Sequence, residues 1–142
     1  MVNKESQNRI LIVEDDKTTA KFFEELLIDR YQVRSVNSGD TALSIVCEFT
    51  PHIILLDVNL GGMNGYQVCK EIRKNPKFDE VWILFLTCKG EIDDRLYGYR
   101  IGGDDYLVKP VDFEELNAKI KAFNRRSRII ENKPIFGNIL PT

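Results

Sequence analysis

A doubly wound α/β fold, a parallel sheet with helices on both faces, is what this chain predicts, and three features carry that reading. Short apolar runs, ILIV at 10–13, IILL at 53–56, WILFL at 82–86 and YLV at 106–108, are too uniformly hydrophobic for one-sided surface strands. Segments with apolar residues at helical spacing alternate with these runs, the order expected of βα units joined by right-handed crossovers. Each run also ends on polar residues: Glu14, Asp15 and Asp16 after the first, then Asp57, Thr87 and Lys109. Ligands of open α/β sheets bind at the carboxyl ends of the strands, so these side chains are expected to share one crevice.

Ala20, Phe23 and Leu27 recur at i, i+3 and i+7 and predict the first helix. A second strand is expected near 31–36. Ala42, Ile45, Val46 and Phe49 predict helix two, and Gly65, Val68, Cys69 and Ile72 predict helix three. Ile92, Leu96 and Tyr99 suggest a fourth helix, weakened by Gly98 and stopped by Gly102 and Gly103. Phe113, Leu116, Ile120 and Phe123 predict the fifth. Beyond Arg128 the pattern dissolves, and Pro134, Gly137 and Pro141 break any helix. The expected organisation is therefore an N-terminal tail over 1–7, one domain over 8–128 and a linker or tail over 129–142. No internal repeat or low-complexity segment is visible.

At 142 residues and 43% hydrophobic, the chain can form a single core, which at this size buries roughly 68–70% of the unfolded surface. A net charge of −2 supplies no global field for nucleic acid or an anionic membrane. Cys47, Cys69 and Cys88 are odd in number and form no CxxC pair, so they are expected to be reduced, small buried groups. No apolar run approaches the ~20 residues of a membrane-spanning helix. These features together predict a cytoplasmic protein that contacts neither membrane nor nucleic acid.

Two carboxylates a few ångströms apart repel by ~4 kcal/mol at an effective dielectric near 20. Clustering Glu14, Asp15 and Asp57 therefore calls for a divalent cation, and an all-oxygen donor set selects a hard one such as Mg²⁺. Asp16 stands where it would cap the first helix. Each residue alone has a plainer explanation: helix capping for the acids, a strand end for Thr87, a surface position for Lys109, a core aromatic for Tyr106. Their joint placement at one sheet edge favours a site. His52 reads as a solvated loop residue, and Arg125, Arg126 and Arg128 as cations complementing a helix C-terminus.

The motifs VEDD (13–16), LLDVNLGGMNG (55–65), LTC (86–88) and DDYLVKP (104–110) resemble, in order and spacing, the receiver domain of two-component response regulators. The resemblance covers about 8–128. It implies a flavodoxin-like sheet with strand order 2-1-3-4-5. It also implies that Asp57 accepts a phosphoryl group from a sensor histidine kinase or a phosphotransfer protein. Asp15, Asp57 and the backbone carbonyl of Asn59 would ligate Mg²⁺, with Glu14 acting through water. Lys109, aimed by a cis bond to Pro110, would neutralise the phosphoryl group; Thr87 would move toward it and Tyr106 would follow inward. Repacking of the helix 4, strand 5 and helix 5 face would then control an output domain or partner.

The segment 93–116 is most similar to receivers of winged-helix transcription factors, which implies a possible homodimer through that face. Carried over, the cross-dimer ion pairs would be Arg95 with Glu115 and Asp105 with Lys119, while Arg100 and Lys121 would repel. Gly61 and Gly62 depart from the proline usual in this loop. Asn59 and Lys89 occupy positions that tune phosphoryl lifetime in the family. A rival reading is a Mg²⁺-dependent phosphatase with Asp57 as nucleophile. Such enzymes carry a second acid two residues on, and Asn59 cannot serve as one. A third reading is a binding module of the same fold that is never phosphorylated.

Overall fold

The computed structural model describes residues 8–88 and 95–131. Along the chain run β1 (Arg9–Val13), α1 (Lys17–Leu27), β2 (Gln32–Val36), α2 (Gly39–Phe49), β3 (Ile53–Asp57) and α3 (Gly65–Arg73). A 3-10 turn (Pro76–Phe78), β4 (Trp82–Cys88), α4 (Arg95–Arg100), β5 (Asp105–Lys109) and α5 (Phe113–Glu131) follow. All strand pairings are parallel, in the order β2-β1-β3-β4-β5. The described residues divide after Pro110 into two compact units, the sheet with α1–α4 in one and α5 in the other.

Uniformly apolar strands end up where both faces are covered. Every residue of β3 is buried, as are four of the five in β1 and Ile83 to Leu86 in β4. Leu11, Val13, Ile54, Leu56, Ile83 and Phe85 share one core cluster with Ala42 and Val46 of α2 and Val68, Cys69 and Ile72 of α3. Strand alternation turns Ile10, Ile12, Ile53 and Leu55 to the other face, and α1 packs on β1 and β2, burying Ala20, Phe23 and Leu27. Side-chain oxygens open the helices: Asp16 accepts from the Thr19 amide, Ser38 from Thr41, and Asn64 forms a capping box with Gln67.

Several expectations need correcting. The YLV run lies in β5, which is an edge strand with partly exposed residues rather than an interior one. In α4 the buried residue is Gly98, while Leu96 and Tyr99 are exposed, so the apolar spacing marked the wrong face. Phe113 is exposed as well. The last helix continues to Glu131, three residues past the expected break. Only Cys69 is a buried thiol, pushed up to about 11 by burial, whereas Cys47 and Cys88 are exposed; none of the three is in a disulfide. His52 is tied into the fold: its Nδ1 accepts the Arg9 amide at 2.9 Å, and its own amide donates to the Arg9 carbonyl. Residues 1–7, Lys89, Ile92 and the expected breakers at 134, 137 and 141 lie outside the described residues.

Candidate functional site

Glu14 follows the last residue of β1, Asp57 ends β3, Thr87 is next to last in β4, and Lys109 ends β5. Parallel strands point their carboxyl ends the same way, so register alone gathers these residues at one edge. The Glu14 amide is fixed to the Val36 carbonyl at 3.0 Å. Side-chain oxygens of Glu14, Asp15 and Asp57 all lie within 4.8 Å of one another. Glu14 and Asp57 are the two buried charged residues among those described, at 1% and 3% exposure, and Asp15 is exposed.

Each oxygen of Asp57 has its own donor. Oδ1 accepts the Asn59 amide at 2.8 Å, and Oδ2 accepts Lys109 Nζ at 2.6 Å. Lys109 also donates to Glu14 Oε1 at 2.5 Å, and the Asp16 amide donates to Glu14 Oε2 at 3.2 Å. One ammonium thus serves two buried carboxylates. Burial, then the neighbouring Asp57, push the Glu14 carboxyl up to about 7, against the lowering bond from Lys109. Burial depresses Lys109, but its bonds to Asp57 and Glu14 outweigh that and leave its pKa raised. Asp16, bonded through both the hydroxyl and the amide of Thr19, is held below the ordinary carboxylate value and serves as a cap.

Three carboxylates with surplus negative charge, all hard oxygen donors, fit a divalent ion of the Mg²⁺ type. The Lys109–Pro110 peptide is cis. Thr87 is half-buried and paired in register with Val108, one step along β4 from the Leu86 that pairs with Asp57.

Two steps behind Thr87 the sheet carries an aromatic group. Phe85 pairs with Tyr106, which is buried, its ring 5.2 Å from Phe85 and 5.4 Å from Tyr99. The Tyr106 hydroxyl is 3.1 Å from that of Tyr66 in α3. Tyr66 in turn meets Phe85 edge-on at 4.9 Å and Tyr97 at 5.4 Å. A Cβ on Gly98 would stand 2.0 Å from the Tyr106 hydroxyl, so the ring occupies space that a side chain on α4 would fill.

This arrangement has close relatives. Residues 10–121 match the model of the response regulator receiver domain. The chain belongs to that family. It is 36% identical over 142 residues to the probable transcriptional regulator ycf27 of Guillardia theta, covering 99% of this chain and 53% of that protein. Identity to the response regulator ArlR of Staphylococcus saprophyticus is 40% over 119 residues, 83% of this chain and 53% of ArlR. The beryllofluoride-activated DrrB receiver domain superposes with a TM-score of 0.74 at 32% identity, over 84% of this chain and 98% of that one. The chain thus spans about half the length of the curated relatives it matches.

In this receiver the expected acids and Lys109 come together, and Thr87 stands beside them in the strand register. Asn59 reaches Asp57 through its amide. The α3 helix begins hard against the same strand: the Gly65 amide donates to the Val58 carbonyl at 2.9 Å, and a Cβ there would lie 2.3 Å from the Asp57 carbonyl. Tyr66 escaped the sequence reading. An aromatic after Gly65 at a helix start carries no periodic signal, and its partner is forty residues away.

Proposed function

We propose that this receiver is a phosphorylation switch in which Asp57 accepts a phosphoryl group from a sensor histidine kinase or a phosphotransfer protein. The observation that carries the reading is the Asp57 carboxylate itself, buried, engaged at both oxygens, with Glu14 and Asp15 alongside. In transfer, an Asp57 oxygen forms the new O–P bond as the donor's N–P bond breaks, and the freed histidine nitrogen is left to solvent protons. Lys109 holds a fixed positive charge where negative charge develops on the phosphoryl oxygens, and Thr87 offers a hydroxyl from the next strand. The Asn59 amide keeps the attacking carboxylate oriented. Asp15, Asp57 and the Asn59 carbonyl would hold Mg²⁺, with Glu14 through water. When bound, the ion screens carboxylate and phosphoryl charge from one another.

Nothing favours the phosphatase reading, since the residue two past Asp57 remains Asn59. Incubation with acetyl phosphate and Mg²⁺ should leave one phosphoryl group per chain by intact mass, and none in Asp57→Ala. Turnover of many equivalents without accumulation would instead make the protein an enzyme.

The relatives about twice as long suggest that 129–142 lead to an output module, of the winged-helix transcription-factor kind. The domain would work in the cytoplasm and leave nucleic-acid and membrane contacts to others. Among the described residues, no helix is long and apolar enough to cross a membrane. A phosphorylation-dependent homodimer through α4, β5 and α5 is supported by the exposed Leu96, Tyr97 and Tyr99 of α4. The carried-over ion pairs support it less. Lys119 and Glu115, assigned to different pairs, meet each other within α5 at 3.9 Å, and the Arg95 guanidinium lies 5.6 Å from the Tyr106 ring centre. Sedimentation with and without beryllofluoride tests the dimer, and a monomer in both states ends it.

A further inference from the structure

We propose that Tyr66 is a positioning residue whose hydroxyl holds Tyr106 in its inward seat, so that the aromatic half of the switch is set before a phosphoryl group arrives. The inference rests on the phosphorylation-switch reading above and concerns how that switch is biased.

A buried phenol needs a partner for its hydroxyl, because leaving it unpaired forfeits the bonds it makes to water. Tyr106 is 6% exposed, and its hydroxyl meets that of Tyr66 at 3.1 Å. Phenylalanine at both positions would fill the same space without this requirement. The hydroxyl pair therefore selects one placement of Tyr106 rather than simply adding core volume. Tyr66 is itself held firmly, its ring edge-on to both Phe85 and Tyr97, so its hydroxyl is a fixed reference point on α3. The seat depends on what α4 omits: at Gly98 any Cβ would collide with the Tyr106 hydroxyl. Tyr66 supplies the attraction and Gly98 the room.

Whatever stabilises the inward form raises the affinity of any ligand that prefers that form, in proportion to the gain in the inward fraction. Losing one neutral hydrogen bond should thus weaken binding of beryllofluoride, the phosphoryl mimic, by up to about fivefold.

The test uses the full 142-residue chain with tyrosine-selective isotope labels. Ring exposure of Tyr106 is read by NMR with a soluble paramagnetic agent, its signal assigned through Tyr106→Phe. Beryllofluoride affinity is measured with Mg²⁺ present. In Tyr66→Phe, which keeps every ring contact, Tyr106 should become more solvent-exposed and beryllofluoride should bind up to about fivefold more weakly. Gly98→Ala, which favours the helix intrinsically, should expel Tyr106 as well. In a Tyr106→Phe background, Tyr66→Phe should change nothing further, whereas a purely structural Tyr66 would weaken the protein in either background. A Tyr106 ring that stays protected in Tyr66→Phe overturns the proposal, as does unchanged beryllofluoride affinity. A wild-type chain that binds no beryllofluoride, like Asp57→Ala, would sink the phosphorylation reading instead, and the NMR comparison would still decide whether Tyr66 seats Tyr106.

Discussion

The two edges of the sheet handle charge in opposite ways. At the amino-terminal edge, cations are satisfied by the backbone. Arg73 donates to the carbonyls of Gly102 and Phe78 at 2.9 and 2.7 Å and to Asp104 at 2.9 Å. Asp104 in turn accepts the Ile83 amide at 2.8 Å. Burial pushes Asp104 up, while that amide and Arg73 pull it down. Arg9 similarly reaches the carbonyls of Phe49 and Thr50, at the end of α2. At the carboxyl-terminal edge, two buried acids share a single ammonium, and the exposed Asp15 crowds in beside them. Charges that are locally balanced knit the fold; charges crowded beyond balance suit a cation.

Mutations should separate the edges by sign. The largest effect is expected for Arg73→Ala, which removes the bonds to the Gly102, Phe78 and Asp79 carbonyls and leaves Asp104 without its cation. A loss of about 3 kcal/mol in urea unfolding, with acetyl phosphate labelling retained, is expected. Glu14→Gln should do the reverse, stabilising the metal-free chain while impairing Mg²⁺ binding. Because the Glu14 pKa rises from 4.5 to about 7 on folding, the folded state holds that proton more tightly than the unfolded chain. Its favourable contribution is complete below 4.5 and is lost as pH rises through about 7. The gain in Glu14→Gln should be on the order of 2 kcal/mol at pH 8 and vanish near pH 4. A destabilised Glu14→Gln at pH 8 would mean that this edge is balanced after all.

Smaller effects sharpen the contrast. Mg²⁺ at ten times its dissociation constant should stabilise the wild type by about 1.4 kcal/mol. The metal concentration needed should rise as pH is lowered from 8 to 6, because protons compete for Glu14; thermal melts across a Mg²⁺ series would show it. Arg9→Met should cost about 1 kcal/mol, the smallest change, and leave labelling untouched.

Legibility in the sequence followed the same division. The strands, and the gathering of Glu14, Asp15, Asp57 and Lys109 at one edge, were readable because β1, β3 and β4 pair unbroken apolar runs with polar ends, and parallel register does the rest. Helix α4 was misread because its buried position is Gly98, which contributes by lacking a side chain and so has no hydrophobic signature. His52 bonds to Arg9, and Arg73 to Gly102 and Asp104, across long stretches of sequence, and no local pattern encodes such partners. Cys47 and Cys88 show that a small apolar residue on a helix face or strand end has no obligation to be inside. Tyr66 was invisible for want of its partner: one hydroxyl means little until the other is in place.

Gly65 ties the start of α3 directly to the end of β3. With no clearance between the start of α3 and the Asp57 carbonyl, the backbone of the acceptor and the helix behind it behave as one joint. The very next residue carries the ring that steadies Tyr106. An adjustment of the main chain at Asp57 would have no slack to disappear into and would be felt one residue along, at Tyr66.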